Sequence, residues 1–325
     1  MARTPAPILI PALLAAALAA GCSGSDSPAE AARPRGAPAL TEAQARQVLA
    51  SYAKGANRAG YRLSARTLPT IEADPQLSMD TAALKLRRAV RQRPAKMAFT
   101  DTTFYIPRLP GYPHWFAADA ATGKGDRTVR HALLFTQAAA GAPWLLAADP
   151  YPTEPALSKI ALDPAGFATP VDPAATDLAV APGKLPRAHA ALLTDGPRAS
   201  GAALLADGAK TSETYKALKQ GERALAGRGV TLSSRFSAAP YKVFALRTKD
   251  RGALVWYVLK QNEAYSATKR GRLAVSGDLV GLAPTRTART RMDTTVLVQY
   301  LATVPPKGRA TVSGMYRKAV TANGS

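Results

Sequence analysis

Val48, Leu49, Tyr52, Ala53 and Ala56 recur at helical spacing behind Thr41, and Gln44 stands three places after that threonine; the pattern predicts a helix over 42–58 opened by a capping box. A second helix is expected from Asp80, as its cap, through Ala83, Leu84 and Val90 to Pro94. The chain then changes character. Phe99 to Ile106 is β-branched and aromatic, and two apolar runs, His131 to Gln137 and Trp144 to Ala148, flank turn residues 138–143 as a hairpin. The same plan returns further on. Helical periodicity over Arg187 to Leu193 and Ser212 to Leu225 precedes strands at Tyr241 to Thr248, Ala253 to Lys260 or beyond, Thr294 to Val304 and Arg309 to Val320. Lys249-Asp250-Arg251-Gly252 and Pro305-Pro306-Lys307-Gly308 supply turns short enough for antiparallel pairing, whereas parallel strands need a crossover. The order predicts an α+β fold of two domains, 41–150 and 185–325, with helices ahead of antiparallel strands in each. Residues 151–184 between them are crowded with proline, and 149–183 carry one Lys against five Asp and Glu, a net −4; this reads as a linker or covering segment.

Before position 41 no such periodicity exists. Arg3 is the only charge ahead of an apolar run from Ala6 to Ala20, shorter than the roughly 20 residues of a membrane span and broken by Pro7 and Pro11. Residues 1–21 therefore read as a cleaved signal peptide. The run closes on Leu18-Ala19-Ala20-Gly21-Cys22, which resembles the lipobox of bacterial lipoproteins, with Ala19 where that pattern usually has Leu. The resemblance implies a diacylglyceryl group on Cys22, which becomes the mature N-terminus and anchors the exported protein to the outer face of the cytoplasmic membrane. Residues 22–40, rich in Ser, Gly, Pro and Ala, form a flexible tether.

The repeated helix-then-strand plan resembles tandem cystatin-like or nuclear-transport-factor-like domains, in which N-terminal helices pack in the concavity of a bent antiparallel sheet. Together with the lipobox and tether, the segments LTEAQARQVLASY, LPRAHAALLTDG and DGAKTSETYKAL resemble an uncharacterised family of membrane-anchored actinobacterial lipoproteins. That family carries no established activity, so the resemblance transfers no catalytic residue. The bent-sheet folds imply a pocket, for which Asp101, Tyr105, Trp256, Tyr257 and Tyr265 are the candidate lining residues.

Composition narrows the chemistry further. With 47% hydrophobic and 20% charged residues among 325, the chain buries a core and wholesale disorder is excluded. One cysteine excludes a disulfide framework, a thiolate zinc site, an iron-sulfur cluster and a CxxC redox pair. His114, His131 and His189 lie far apart without an i,i+4 partner, so no metal motif is present; His114, in the aromatic stretch Tyr112 to Phe116, is the strongest of the three. Ser51–Lys54 and Ser266–Lys269 match SxxK, yet no SDN or KTG accompanies them, and GxSxG, P-loop and GxGxxG patterns are missing. Glu72 and Asp74 precede Pro75 and Asp101 sits between threonines, so no acid pair stands out. The expectation is a protein without cofactor or catalytic residue.

Charge is the remaining signal. Lys and Arg number 43 against 22 Asp and Glu, a net +21; residues 184–325 hold 24 against 8, a net +16, and residues 38–152 hold 15 against 8, a net +7. Basic residues cluster at Arg87, Arg88 and Arg91, at Lys269, Arg270 and Arg272, and at Arg286, Arg289 and Arg291. Export argues against nucleic acid, leaving anionic lipid headgroups or cell-wall polymers as partners. The sequence thus predicts a non-enzymatic surface lipoprotein that binds an anionic envelope partner through its basic second domain, with a small-ligand carrier or pocket enzyme of the nuclear-transport-factor-like type as the alternative.

Overall fold

The computed structural model describes Gly36 and residues 38–267, 273–284 and 287–324, and Arg35–Ser325 forms one compact unit. Cys22, Lys269, Arg270, Arg272 and Arg286 lie outside the described residues. Helix α1 (Glu42–Arg62) opens on the expected capping box: the Gln44 amide N–H donates to Thr41 Oγ1 at 3.2 Å and the Thr41 N–H to Gln44 Oε1 at 2.7 Å. It ends at Leu63, held left-handed with φ 48°. Helix α2 (Gln76–Ala89) starts earlier than its expected cap, because Pro75 takes the cap position; Asp80 lies inside the helix.

Four antiparallel strands follow, β1 (Thr100–Tyr105), β2 (His114–Thr122), β3 (Val129–Gln137) and β4 (Leu145–Ala148), paired in that order. Strand β2 was not expected, since HWFAADAAT is rich in alanine and carries an aspartate, both poor strand formers. Its burial between β1 and β3 overrides that propensity, and the small side chains let the layers on both faces approach closely. The chain then crosses to a second sheet within Asp149–Pro150, entering β5 (Tyr151–Pro152), which pairs with the last strand. Residues 153–184 include short 3-10 turns at Ala156–Lys159 and Pro182–Lys184 and bury Ala156, Leu157 and Ile160.

Helices α3 (Leu185–Asp195) and α4 (Ser212–Ala226) lead into β6 (Val230–Ala238), β7 (Phe244–Arg247) and β8 (Ala253–Ala267). An excursion after β8 carries the two-residue pair β9 (Leu273–Ala274) and β10 (Thr287–Ala288), and the long hairpin β11 (Arg291–Val304) and β12 (Thr311–Gly324) closes the chain. The second sheet runs β5-β12-β11-β8-β6, with β7 also on β8, and is antiparallel throughout.

Alternation along the strands divides the core into layers. Val255, Tyr257 and Leu259 of β8 with Val296, Val298 and Tyr300 of β11 face Leu185, Leu192 and Leu193 of α3. Leu254, Trp256 and Leu301 point the other way and pack on Trp115, Ala117, Ala132 and Leu134 of the first sheet, where Trp256 Nε1–H donates to the Ala132 carbonyl at 2.9 Å. Phe116, Leu133 and Phe135 on the opposite face of that sheet meet Leu49 and Tyr52 of α1. The order of layers is helix, six-stranded sheet, four-stranded sheet, helix, an α+β fold.

Candidate functional site

The foreseen basic residues that the structure describes stand in two places, the end of α2 and the segment from the β9–β10 excursion into β11. Arg87, Arg88 and Arg91 stand at the C-terminal end of α2; Arg87 is half-buried, Arg91 is exposed, and exposed Arg88 donates from Nε to the Leu63 carbonyl at 3.1 Å. The β9–β10 excursion is packed against that end. A Cβ on Gly281, whose φ is +84°, would stand 2.7 Å from the carbonyl oxygen of Lys85, so only glycine allows this approach. Lys318 Nζ pins the same excursion to β12 through Asp278 Oδ1 at 2.8 Å. Arg289 is exposed on the excursion, whereas the Arg291 guanidinium is occupied by Asp293, with two bonds of 2.7 Å.

The residues foreseen as pocket lining separate. Trp256 and Tyr257 line an apolar pocket of about 290 Å³, together with Pro75, Leu134, Tyr241 and Phe244, and Asp74 and Lys242 add charge to it. Asp101 is exposed with φ 48° where the β1–β2 register slips, so a bulge turns it away from the sheet. Tyr105 is buried between the sheets, where burial and then the charge of Asp119 push its hydroxyl up to about 12. Tyr265 is half-buried and donates to Glu263 Oε2 at 3.1 Å.

A constellation that the sequence did not reveal lies at the crossing from one sheet to the other. His131 on β3 donates from Nδ1 to Asp149 Oδ2 at 2.8 Å, and its Nε2 meets Thr122 Oγ1 at 2.8 Å. The Asp149 N–H donates to Gln299 Oε1 at 2.7 Å, Gln299 Nε2 donates to Gln76 Oε1 at 2.9 Å, and Gln76 Nε2 donates to Asp80 Oδ2 at 3.0 Å. Tyr316 completes the chain with a weaker contact to Asp80 Oδ1 at 3.4 Å. His131, Asp149, Gln299 and Gln76 are all buried.

Glu72 sits beside this chain, 1% exposed, and neither of its carboxyl oxygens meets an N–H or O–H donor. Burial, and then the charge of Asp80, push it up to about 10, so it is a neutral acid whose O–H is free to donate to the Asp80 carboxylate. Burial also raises Asp80, against the lowering effect of its hydrogen bonds. For His131, burial alone acts downward, but the charge and hydrogen bond of Asp149 and the charge of Asp119 prevail and the net shift is upward. His189 behaves oppositely. Fully buried, it donates from Nε2 to the Lys210 carbonyl and accepts at Nδ1 from the Tyr257 hydroxyl, and burial holds it down at about 4. His114, favoured by the sequence, stacks on Tyr112 at 4.0 Å between ring centroids and makes no comparable network.

Among the described residues no three His, Cys, Asp or Glu side chains are placed to hold a metal ion, and no helix is long and apolar enough to cross a membrane. The chain matches, over residues 36–324, the family described as a domain of unknown function, DUF8094, and it belongs to that family. Its relatives include an uncharacterised lipoprotein of Streptomyces coelicolor, 30% identical over 240 residues that span 71% of this chain and 70% of the relative. A second from the same organism is 28% identical over 334 aligned positions, 95% of this chain and 91% of the other. A third, from Streptomyces avermitilis, is 27% identical over 245 residues, 74% and 71% of the two chains. No solved structure matches.

Proposed function

We propose that this protein is an exported lipoprotein, held to the outer face of the cytoplasmic membrane through diacylglyceryl-Cys22, that binds an anionic envelope partner through a basic face. The lipobox and the three relatives named as uncharacterised lipoproteins support the anchor. The observation that carries the basic face is the seat of Gly281 on the Lys85 carbonyl, which places the excursion between β8 and β11 against the arginine-bearing end of α2. At about 1 kcal/mol per basic residue near an anionic surface, three or four such contacts reinforce lipid anchoring, and salt weakens them. The test uses residues 35–325, sedimented with anionic and with neutral vesicles and with purified cell wall. Salt-sensitive retention on the anionic surfaces is expected; equal binding to neutral vesicles refutes the reading.

The apolar pocket favours a second reading, a carrier for a small apolar ligand of the kind that nuclear-transport-factor-like folds hold. Helices packed on antiparallel sheets support that likeness. Displacement of a solvatochromic dye by fatty acids or isoprenoids, abolished in Phe244→Asp, is its expected outcome.

A further inference from the structure

A groove of about 540 Å³ runs between α1 and the β3–β4 turn. One wall is a single face of α1, where Gln44, Gln47, Val48, Ser51 and Tyr52 follow one another at spacings of three and one. The other wall carries Thr70, Gln137 and Trp144. None of its twelve lining residues is charged, in a chain of net +21.

The lining combines side-chain amides, hydroxyls and an aromatic plane. Gln47 and Ser51 are exposed and engage no partner among the described residues, and Gln137 is steadied by donating Nε2–H to the Ala142 carbonyl at 2.8 Å, which leaves its carbonyl oxygen to accept. Trp144 is half-buried and braced edge-on by Phe116 at 5.2 Å, so its indole is a fixed surface. Tyr52 is only 3% exposed, so it backs the groove as packing rather than as a hydroxyl partner.

This set selects a ligand by elimination. No lining residue offers a charged ligand a counter-ion, and an apolar ligand would strand several amides and hydroxyls without partners. Paired donors and acceptors beside an aromatic plane fit a ligand with many neutral hydroxyls on rings that have an apolar face. From these observations we infer that the groove binds a neutral oligosaccharide, with Trp144 as stacking platform and Gln47, Ser51 and Gln137 as hydroxyl partners. The inference does not depend on the basic face or on the apolar pocket.

The test titrates the mature lipidated protein, in detergent micelles, with chitotetraose and mannotetraose, and with heparin as the polyanion. Acrylamide quenching of tryptophan fluorescence is the readout, because Trp115 and Trp256 are 6% and 1% exposed and Trp144 supplies the accessible signal. Saturable protection by a neutral tetrasaccharide is expected, with Kd of about 1 mM or tighter and no dependence on salt. Gln47→Ala, an exposed helix position where alanine is tolerated, should weaken binding about tenfold, measured by calorimetry for the variants, and Trp144→Ala should weaken it more. Should Trp144→Ala fail to fold, Ser51→Leu takes its place with the same expected loss. No protection by either tetrasaccharide up to about 10 mM overturns the inference, as does protection by heparin alone or wild-type affinity in Gln47→Ala and Ser51→Leu together.

Discussion

Glu72 carries a large pH liability. Its carboxyl binds a proton at about 10 in the fold and at 4.5 as a free side chain, so between those values the folded state holds the extra proton. Stability therefore falls as pH rises through that window. Glu72→Gln keeps the shape and a donor toward Asp80 while removing the titration. It should raise Tm at pH 8 by a few degrees, about 1 to 3 kcal/mol, with the gain shrinking toward pH 5; a pH series of thermal melts measures it. His189 acts at the other end: held near 4 against 6.5 when free, it costs stability as pH falls through 6.5 toward 4. Gln299, fully buried, accepts from Asp149 and donates to Gln76. Gln299→Leu should cost about 1 to 3 kcal/mol in denaturant unfolding, because both partners are left buried without it.

The β9–β10 excursion is held by a small apolar cluster around Ala288, Met292 and Ala322, by the Lys318–Asp278 pair and by the close seat of Gly281. Gly281→Val forces a side chain onto the Lys85 carbonyl at a positive φ, so the excursion should lift from α2. The expected outcome is weaker retention on anionic vesicles with little change in the main unfolding transition. Leu301→Ala, in contrast, empties the interface between the sheets and should cost about 2 to 5 kcal/mol. The same contrast explains what was legible in the sequence. Helices α1 and α4 and strands β8 and β11 declare themselves through capping, periodicity or apolar runs, because their local preference and their burial agree. Strand β2 does not, since alanines were chosen by the space between layers and not by strand propensity. The start of α2 is hidden in the sequence because Asp80 looks like a cap but serves the buried chain, where Gln76 and Tyr316 reach it. That chain could not be read in advance: Gln76 and Gln299 bond across 223 positions, and no local pattern marks a pairing that long-range packing makes. Trp256 and Tyr257 stand out in the sequence as candidate lining residues, but the pocket beside them also needs Pro75 and Tyr241, which no spacing in the sequence connects to them.

On the scale of the whole molecule, the proposed function sets a lipid on Cys22 and a tether ahead of a compact body, in a chain with a strong excess of positive charge. Cys22→Ser should move the protein from the membrane fraction to the soluble fraction at physiological salt, since basic contacts alone are screened there. The basic face should then be visible as binding that survives only at low salt. The most direct measurement is the partition of residues 35–325 onto anionic vesicles, compared between the wild-type sequence and Arg87→Glu/Arg91→Glu, at low salt and at about 0.15 M. The account predicts that the double reversal lowers low-salt partition about tenfold or more and leaves binding to neutral vesicles unchanged. Equal partition of the two proteins would show that the charge at the end of α2 contacts no anionic surface, and would contradict the account.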